Sequence, residues 1–119
     1  MRKGDVYDAR LDPVEGSEQG GTRPVVIVSR DAINASSSVV MVAPLTTLRP
    51  GRRIYPSQMV VRKPEAGLSA DSVVLSEQLR TLDKPRLLRR RGRLSEASLG
   101  MLDEILRFAL DLPGQFPVT

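Results

Sequence analysis

The side chains best equipped for chemistry lie in one glycine-rich segment, residues 13–24. It contains three glycines, two carboxylates, an amide and an arginine, and an apolar stretch follows it. Arg23 is the most informative of these, because its guanidinium is permanently charged and can bind a phosphate group through two parallel hydrogen bonds. Composition alone favours an ordinary hydrophilic loop, since the segment lacks the spacing of a phosphate-binding P-loop. The segment therefore predicts either a surface connection or a site for a phosphate-bearing substrate.

The chain of 119 residues has no cysteine and no histidine. This composition excludes disulfides, thiolate and imidazole metal ligands, and the Ser-His-Asp triad. Catalysis would have to use carboxylates, Arg, Lys, Tyr, Ser, Thr or backbone amides, on a substrate that needs fixed positive charge more than a titrating base. A metal ion held by carboxylates and substrate phosphates is the alternative that the composition leaves open.

The charge balance favours a polyanionic partner, because 18 Lys and Arg residues outnumber 14 Asp and Glu residues and give a net charge of +4. Only four residues are aromatic, so platforms on which nucleic-acid bases stack have little to be built from. The longest uncharged stretch, residues 32–48, contains Asn34 and Pro44 and is not a membrane span. We expect a soluble, cytoplasmic protein with one domain over residues 1–119.

Several short apolar runs must position these side chains. Alternating or β-branched runs predict strands at residues 4–11, 25–28, 39–43, 59–61 and 73–75. The second run is apolar on both faces, which is typical of a central strand. Pro44 is expected to end the third strand and to leave Thr46 and Thr47 just past its end. The runs lack the helical spacers that parallel crossovers need, so we expect an antiparallel sheet curled into a small barrel.

The last third of the chain changes to a helical period. Leu99, Leu102, Leu106 and Ala109 recur at helical spacing, and Ser95 before them is the expected N-cap. The spacing predicts one amphipathic C-terminal helix.

An ordered set of motifs resembles the MazF/PemK (Kid) family of toxin endoribonucleases over nearly the whole chain. The motifs are Gly4-Asp5-Val6-Tyr7, the segment 13–24 with Val25-Val26-Ile27-Val28-Ser29, Pro44-Leu45-Thr46-Thr47, Gly67-Leu68 and the stretch 72–87. The resemblance implies an SH3-like small barrel with a C-terminal helix, homodimerisation and metal-independent cleavage of single-stranded RNA without a cofactor. It also implies inhibition by a cognate antitoxin whose acidic tail occupies the RNA groove.

The resemblance also implies roles for individual residues. Arg23 matches the catalytic arginine and Thr46 the functional threonine, with Thr47 as the fallback, because neighbours along a strand point in opposite directions. Independently of the resemblance, Glu18 is the candidate base for the ribose 2′-hydroxyl because it lies in the loop beside Arg23, and pairing with Arg23 to order the loop is an equal alternative. Four further residues match RNA-contacting positions, with hydrogen bonding inside the barrel as the alternative for Gln78: Gln19, Gln78, Arg80 and Arg86.

A basic cluster at residues 80–93 has seven basic residues and one acid, Asp83. It predicts either an RNA-guiding surface or a solvated loop before the helix, and for residues 89–93 we favour the solvated loop.

Two other functions are compatible with a small barrel. A CcdB-like inhibitor of DNA gyrase would act through its C-terminal end, and such proteins end in Trp-Gly-Ile, whereas this chain ends in Phe116-Pro117-Val118-Thr119. An SH3-like adaptor for proline-rich peptides would need an aromatic groove that four aromatic residues do not supply. The sequence therefore favours the nuclease.

Overall fold

A computed structural model describes residues 1–114. Residues 115–119, which include the C-terminal Phe116-Pro117-Val118-Thr119 that differs from the CcdB-like ending, lie outside the described part. The predicted mainly antiparallel β architecture with a C-terminal helix is confirmed. Strands within the described part are β1 (Asp5–Arg10), β2 (Thr22–Ile27), β3 (Val39–Thr47), β4 (Gln58–Val61), β5 (Ser72–Leu75), β6 (Arg80–Asp83) and β7 (Leu87–Arg93). The helices are α1 (Asp31–Ser36) and α2 (Glu96–Leu110), with 3₁₀ turns at Glu65–Gly67, Ser76–Gln78 and Lys84–Arg86.

The sheet forms two apolar clusters, one on each face of its central strands. Its order is β4-β5-β3-β2-β1-β7, and β6 pairs with β3. Val25 and Ile27 of β2 lie in one cluster with residues of β1, β3 and β6, whereas Val26 lies in the other, which α2 covers. The predicted central strand is thereby confirmed, since β2 is buried on both faces and pairs with β1 and β3.

The sheet does not close through hydrogen bonds between its end strands. Instead, the 3₁₀ turn Glu65–Gly67 after β4 packs directly on β7. A Cβ atom added at Gly67 would lie 2.0 Å from the Arg91 carbonyl oxygen, and one at Gly92 would lie 2.6 Å from the carbonyl carbon of Ala66. Two glycines therefore let the backbones of the turn and of β7 approach each other.

The prediction that Pro44 ends the third strand is wrong, because β3 continues to Thr47. Met41 directs its carbonyl toward β2, where it accepts from the Val28 amide at 2.9 Å. Alternation along the strand turns the nitrogen of Pro44 to the opposite edge. On that edge the 3₁₀ turn Ser76–Gln78 separates β5 from β6 and interrupts the ladder. Proline therefore costs no ladder hydrogen bond at this position.

The C-terminal helix follows its predicted pattern. The Ser95 side-chain oxygen accepts from the Ser98 amide at 3.1 Å, as expected of an N-cap. Leu102 and Ile105 are buried in the cluster beneath α2. The helix ends at Leu110, and Asp111 after it adopts a left-handed conformation.

The prediction of a solvated loop at residues 89–93 is wrong, because these residues belong to β7, which pairs with β1. Arg90 and Arg93 contact the carboxylate of the buried Asp5 at 3.3 and 3.5 Å. Arg89 and Arg91 contact Asp8 at 3.3 and 3.2 Å. The strand lacks an apolar alternation because it lies at the edge of the sheet, where carboxylates of β1 balance its charge.

Asp5 is expected to make the stability of the fold depend on pH. Burial opposes its ionisation, but the Arg2 amide and the guanidinium groups of Arg90 and Arg93 outweigh burial and lower the pKa of Asp5. A lowered pKa in the folded state stabilises the protein above about pH 4, and this contribution disappears as the pH falls through the lowered value. Asp5→Asn should reduce the free energy of unfolding at pH 7 by about 2 kcal/mol.

Urea denaturation at pH 7 and pH 3 tests this expectation. The difference between the unchanged protein and Asp5→Asn should shrink at pH 3, whereas Asp83→Asn, a change at an exposed aspartate of β6, should alter little at either pH. An equal difference at both pH values would show that the Asp5 charge does not matter.

Candidate active site

A cavity of about 470 Å³ contains both residues that the sequence singles out for catalysis, Arg23 and Thr46. We call it the Arg23 cavity. It lies where β2 begins and β3 ends, because Val25 pairs with Pro44 in the antiparallel ladder between these strands. Its other lining residues are Asp8, Thr22, Pro24, Leu45, Thr47, Arg49, Leu68, Ser69, Ala70, Ser72 and Arg91.

Arg23 is held from one side of its guanidinium. Its Nε donates to the Gly20 carbonyl at 2.9 Å, so the glycine-rich loop fixes the direction of the side chain. Within residues 1–114, its two terminal nitrogens have no hydrogen-bonding partner, and the residue is half-buried. A guanidinium fixed at Nε and open at both terminal nitrogens is suited to binding a phosphate through two hydrogen bonds.

Thr46 and Thr47 both line the Arg23 cavity, although strand alternation predicted that only one of them would face it. The cavity extends around the last residue of β3, so both side chains border it. Thr46 is half-buried and pairs with Val73, whereas Thr47 is exposed and pairs with Ser72. Each hydroxyl can donate one hydrogen bond to a phosphate oxygen.

Asp8 and Arg91 also line this cavity, and no pattern in the sequence marks either of them as a site residue. The Arg91 Nη1 donates to the Asp8 carboxylate at 3.2 Å, while its Nε and Nη2 donate to the Gly67 carbonyl at 3.1 and 2.9 Å. Arg91 therefore ties β1 to the 3₁₀ turn that packs on β7. Asp8 is the only carboxylate among the described lining residues, and Arg91 and Arg89 neutralise it.

A second cavity, of about 520 Å³, contains the predicted RNA-contacting residues Gln19, Gln78 and Arg80, with Glu18 and Glu77. We call it the Gln78 cavity. The Gln78 side chain joins the glycine-rich loop to the sheet, because its Oε1 accepts from the Gln19 amide at 2.7 Å and its Nε2 donates to the Ser17 carbonyl at 3.3 Å. The same loop carries the Gly20 carbonyl that holds Arg23.

Glu18 lies in the Gln78 cavity and is not paired with Arg23 in the described part of the chain. Its carboxylate accepts from the Glu15 amide at 2.8 Å and closes a turn of its own loop. Arg80 and Arg86 also act on this loop, because Arg80 donates to the Leu11 carbonyl at 3.0 Å and Arg86 to the Asp12 carbonyl at 2.5 Å.

Metal-binding clusters and membrane-spanning helices were both sought among the described residues. No three carboxylates among residues 1–114 are grouped so that they could hold a metal ion. None of the helices in this part of the chain is long and apolar enough to cross a membrane.

A family model and several solved structures point to the same protein family. A family model described as PemK-like, MazF-like toxin of type II toxin-antitoxin system matches residues 2–110. The chain is similar to an endoribonuclease in complex with its cognate antitoxin from a mycobacterial species, with 28% identity, a TM-score of 0.78, and coverage of 98% of this chain and 99% of that one.

Two further solved structures give similar values. The Mycobacterium tuberculosis toxin MazF-mt6 is 28% identical, with a TM-score of 0.76 and coverage of 92% of this chain and 99% of that one. MazF from Deinococcus radiodurans is 25% identical, with a TM-score of 0.77 and coverage of 93% and 96%.

Proposed function

The chain belongs to the PemK-like, MazF-like toxins of type II toxin-antitoxin systems, and on this basis we propose that it is an endoribonuclease that cuts single-stranded RNA at a short sequence without a metal ion. The observation that carries this proposal is the single cavity that holds Arg23, with its terminal nitrogens open, beside Thr46. Such a pair matches the needs of a reaction that gathers negative charge on a phosphate.

In the proposed reaction, the ribose 2′-oxygen attacks the adjacent phosphorus and the bond from phosphorus to the 5′-oxygen breaks. The products are a 2′,3′-cyclic phosphate and a 5′-hydroxyl, whose oxygen takes up a proton from water as it leaves. Arg23 neutralises the charge that gathers on the non-bridging oxygens, and the Thr46 hydroxyl donates to one of them. A permanent cation suits this reaction because its charge does not depend on the working pH.

Glu18 is proposed as the base that takes the 2′-proton, and its alternative role is to order the loop. The bond from the Glu15 amide to its carboxylate supports the ordering role. The base role requires that the bound RNA bring its 2′-hydroxyl within hydrogen-bond distance of Glu18.

The RNA on either side of the cleaved bond is proposed to contact residues that border the two cavities. Gln19 and Thr47 are available through their side chains, while Gln78 and Arg80 contribute the donors that remain after they hold the loop. Arg86 is not among the residues that line either cavity, and it is proposed to contribute its remaining donors from beside the loop. Hydrogen bonding to base edges would then dominate over stacking, in keeping with a chain that has four aromatic residues.

We further infer that the protein acts as a homodimer and is neutralised by a cognate antitoxin whose acidic tail occupies the RNA groove. The complex of a related endoribonuclease with its cognate antitoxin supports the second inference. The cationic lining of the Arg23 cavity suits an acidic peptide as well as a phosphate.

Incubation of the purified protein with a long RNA of known sequence, with and without excess EDTA, tests the reaction. We expect cleavage at one short sequence, unchanged by EDTA, with 2′,3′-cyclic phosphate and 5′-hydroxyl ends identified by end-specific labelling. Loss of cleavage after chelation would contradict a metal-free site. Inhibition of DNA supercoiling by gyrase, with the RNA left intact, would favour the CcdB-like alternative.

A further inference from the structure

A third cavity continues from the Arg23 cavity along the loop between β3 and β4. It has a volume of about 340 Å³ and shares Arg49 with the Arg23 cavity. We call it the Arg52 cavity, and its lining residues are Leu48, Arg49, Pro50, Gly51, Arg52, Arg62 and Asp71. An RNA strand that leaves the Arg23 cavity on this side would therefore pass Arg49 first.

Arg49 has no ion pair and no side-chain hydrogen bond among residues 1–114, and it is exposed. The acids in the two cavities it borders are already neutralised. Asp8 contacts Arg91, and Asp71 contacts Arg62 at 3.0 Å. The Lys63 amide, together with Arg62, keeps the pKa of Asp71 below its usual range, so this carboxylate stays ionised and paired. The charge of Arg49 is thus left for a ligand.

The loop that carries Arg49 is anchored at its base. The Leu48 amide donates to the Asp71 carbonyl at 2.8 Å, and the Arg52 amide donates to the Arg49 carbonyl at 3.1 Å. Arg49 is therefore held between the end of β3 and a tight turn, two residues after Thr47, the last residue of that strand. Its position relative to the proposed cleavage site is set by the backbone rather than by a long mobile loop.

The Gln78 cavity has the opposite charge balance, with Glu18 and Glu77 against Arg80. Backbone phosphates are therefore held more strongly on the Arg49 side, whereas the Gln78 cavity suits contacts to base edges through Gln19 and Gln78. This asymmetry gives the charged RNA backbone a preferred side of the cleavage site.

We propose that Arg49 binds the phosphate next to the cleaved one and thereby fixes the path of the RNA backbone from the Arg23 cavity into the Arg52 cavity. The proposal rests on the endoribonuclease function proposed above. Arg49 is a binding residue in this view, and it takes no part in the bond changes at the cleaved phosphate.

Neutral linkages placed one at a time along a short RNA test this contact. Each oligonucleotide contains the mapped cleavage sequence with a single methylphosphonate in place of one phosphate within two nucleotides of the cleaved bond. One such replacement should lower the kcat/KM of the unchanged protein about tenfold, the value of one charge-assisted hydrogen bond. Arg49→Ala should lower kcat/KM by about the same factor on the all-phosphate RNA. On the RNA with the neutral linkage at that position, Arg49→Ala and the unchanged protein should have the same kcat/KM.

Matched variants separate this contact from a general loss of charge or of folding. Arg49→Gln should behave as Arg49→Ala does, and both should melt as the unchanged protein does, because Arg49 is exposed. Arg53→Ala removes the same charge from the same loop, where Arg53 stacks on Tyr55 at 5.2 Å outside both cavities, and it should leave kcat/KM unchanged.

If the neutral linkage at every position lowers kcat/KM by the same factor in Arg49→Ala as in the unchanged protein, the two losses are independent. That result would overturn the Arg49 contact and leave the proposed function intact. So would cleavage of the all-phosphate RNA by Arg49→Ala at the unchanged rate. If the unchanged protein cuts no RNA, the proposed function itself is wrong, and the contact falls with it.

Discussion

Arg23→Ala is expected to slow RNA cleavage about 10³-fold to 10⁵-fold, the range that a charge-stabilising arginine contributes in other phosphoryl transfers. The side chain is fixed at Nε by the Gly20 carbonyl, and its terminal nitrogens are open in the cavity that also holds Thr46. Arg23→Lys keeps the positive charge but loses the two-pronged geometry, so it should recover part of the rate and remain about 10²-fold slow.

Single-turnover cleavage of a short RNA with a mapped site measures these rates without interference from product release. Arg30→Ala is a suitable control, because Arg30 is an exposed arginine in a different cavity, with Lys3 and Asp31. It should cut at the unchanged rate. Cleavage by Arg23→Ala within a few-fold of the unchanged protein would remove Arg23 from the centre of the proposed reaction.

The part of the candidate site that the sequence predicts is the part built from neighbouring strands. The β-branched run before Ser29 and the run before Pro44 both read as strands, and antiparallel neighbours bring the start of one beside the end of the next. The pairing of Val25 with Pro44 does this for Arg23 and Thr46. Local patterns and motifs are sufficient to select Arg23 and Thr46, although β3 extends three residues past Pro44, to Thr47.

Contacts between distant segments could not be predicted in the same way. Asp8 and Arg91 are 83 residues apart, and β7 has no apolar alternation that would mark it as a strand paired with β1. The bond from Gln78 to the Ser17 carbonyl spans 61 residues. In both cases a polar side chain is satisfied by a partner that only the tertiary fold supplies, so its spacing along the chain carries no signal.

Those long-range contacts indicate how Arg23 is kept in place. Gln78 holds the loop at Ser17 and Gln19, and the same loop presents the Gly20 carbonyl to Arg23. The glycine-rich segment therefore does not work as an independent loop. Its position depends on the 3₁₀ turn that interrupts the edge of the sheet opposite Pro44.

Gly67→Ala is expected to lower the free energy of unfolding by about 4 kcal/mol, which adds the cost of a left-handed alanine to that of overpacking. Gly67 has φ +70°, and its added Cβ would lie 2.0 Å from the backbone carbonyl oxygen of Arg91. Backbone atoms of β7 cannot move aside as a flexible side chain can, because β7 is paired with β1. The 3₁₀ turn would have to leave β7, and the Arg91 hydrogen bonds to the Gly67 carbonyl would be lost with it.

Gly51→Ala separates the two causes, because Gly51 has φ +78° but no atom within 4 Å of its added Cβ. It carries the conformational cost alone and should destabilise the protein by about 1 kcal/mol. Urea denaturation of both variants measures the difference. If both variants lost the same free energy of unfolding, the close approach of the 3₁₀ turn to β7 would contribute nothing measurable to stability. The packing that joins the two ends of the sheet would then contribute little to the fold.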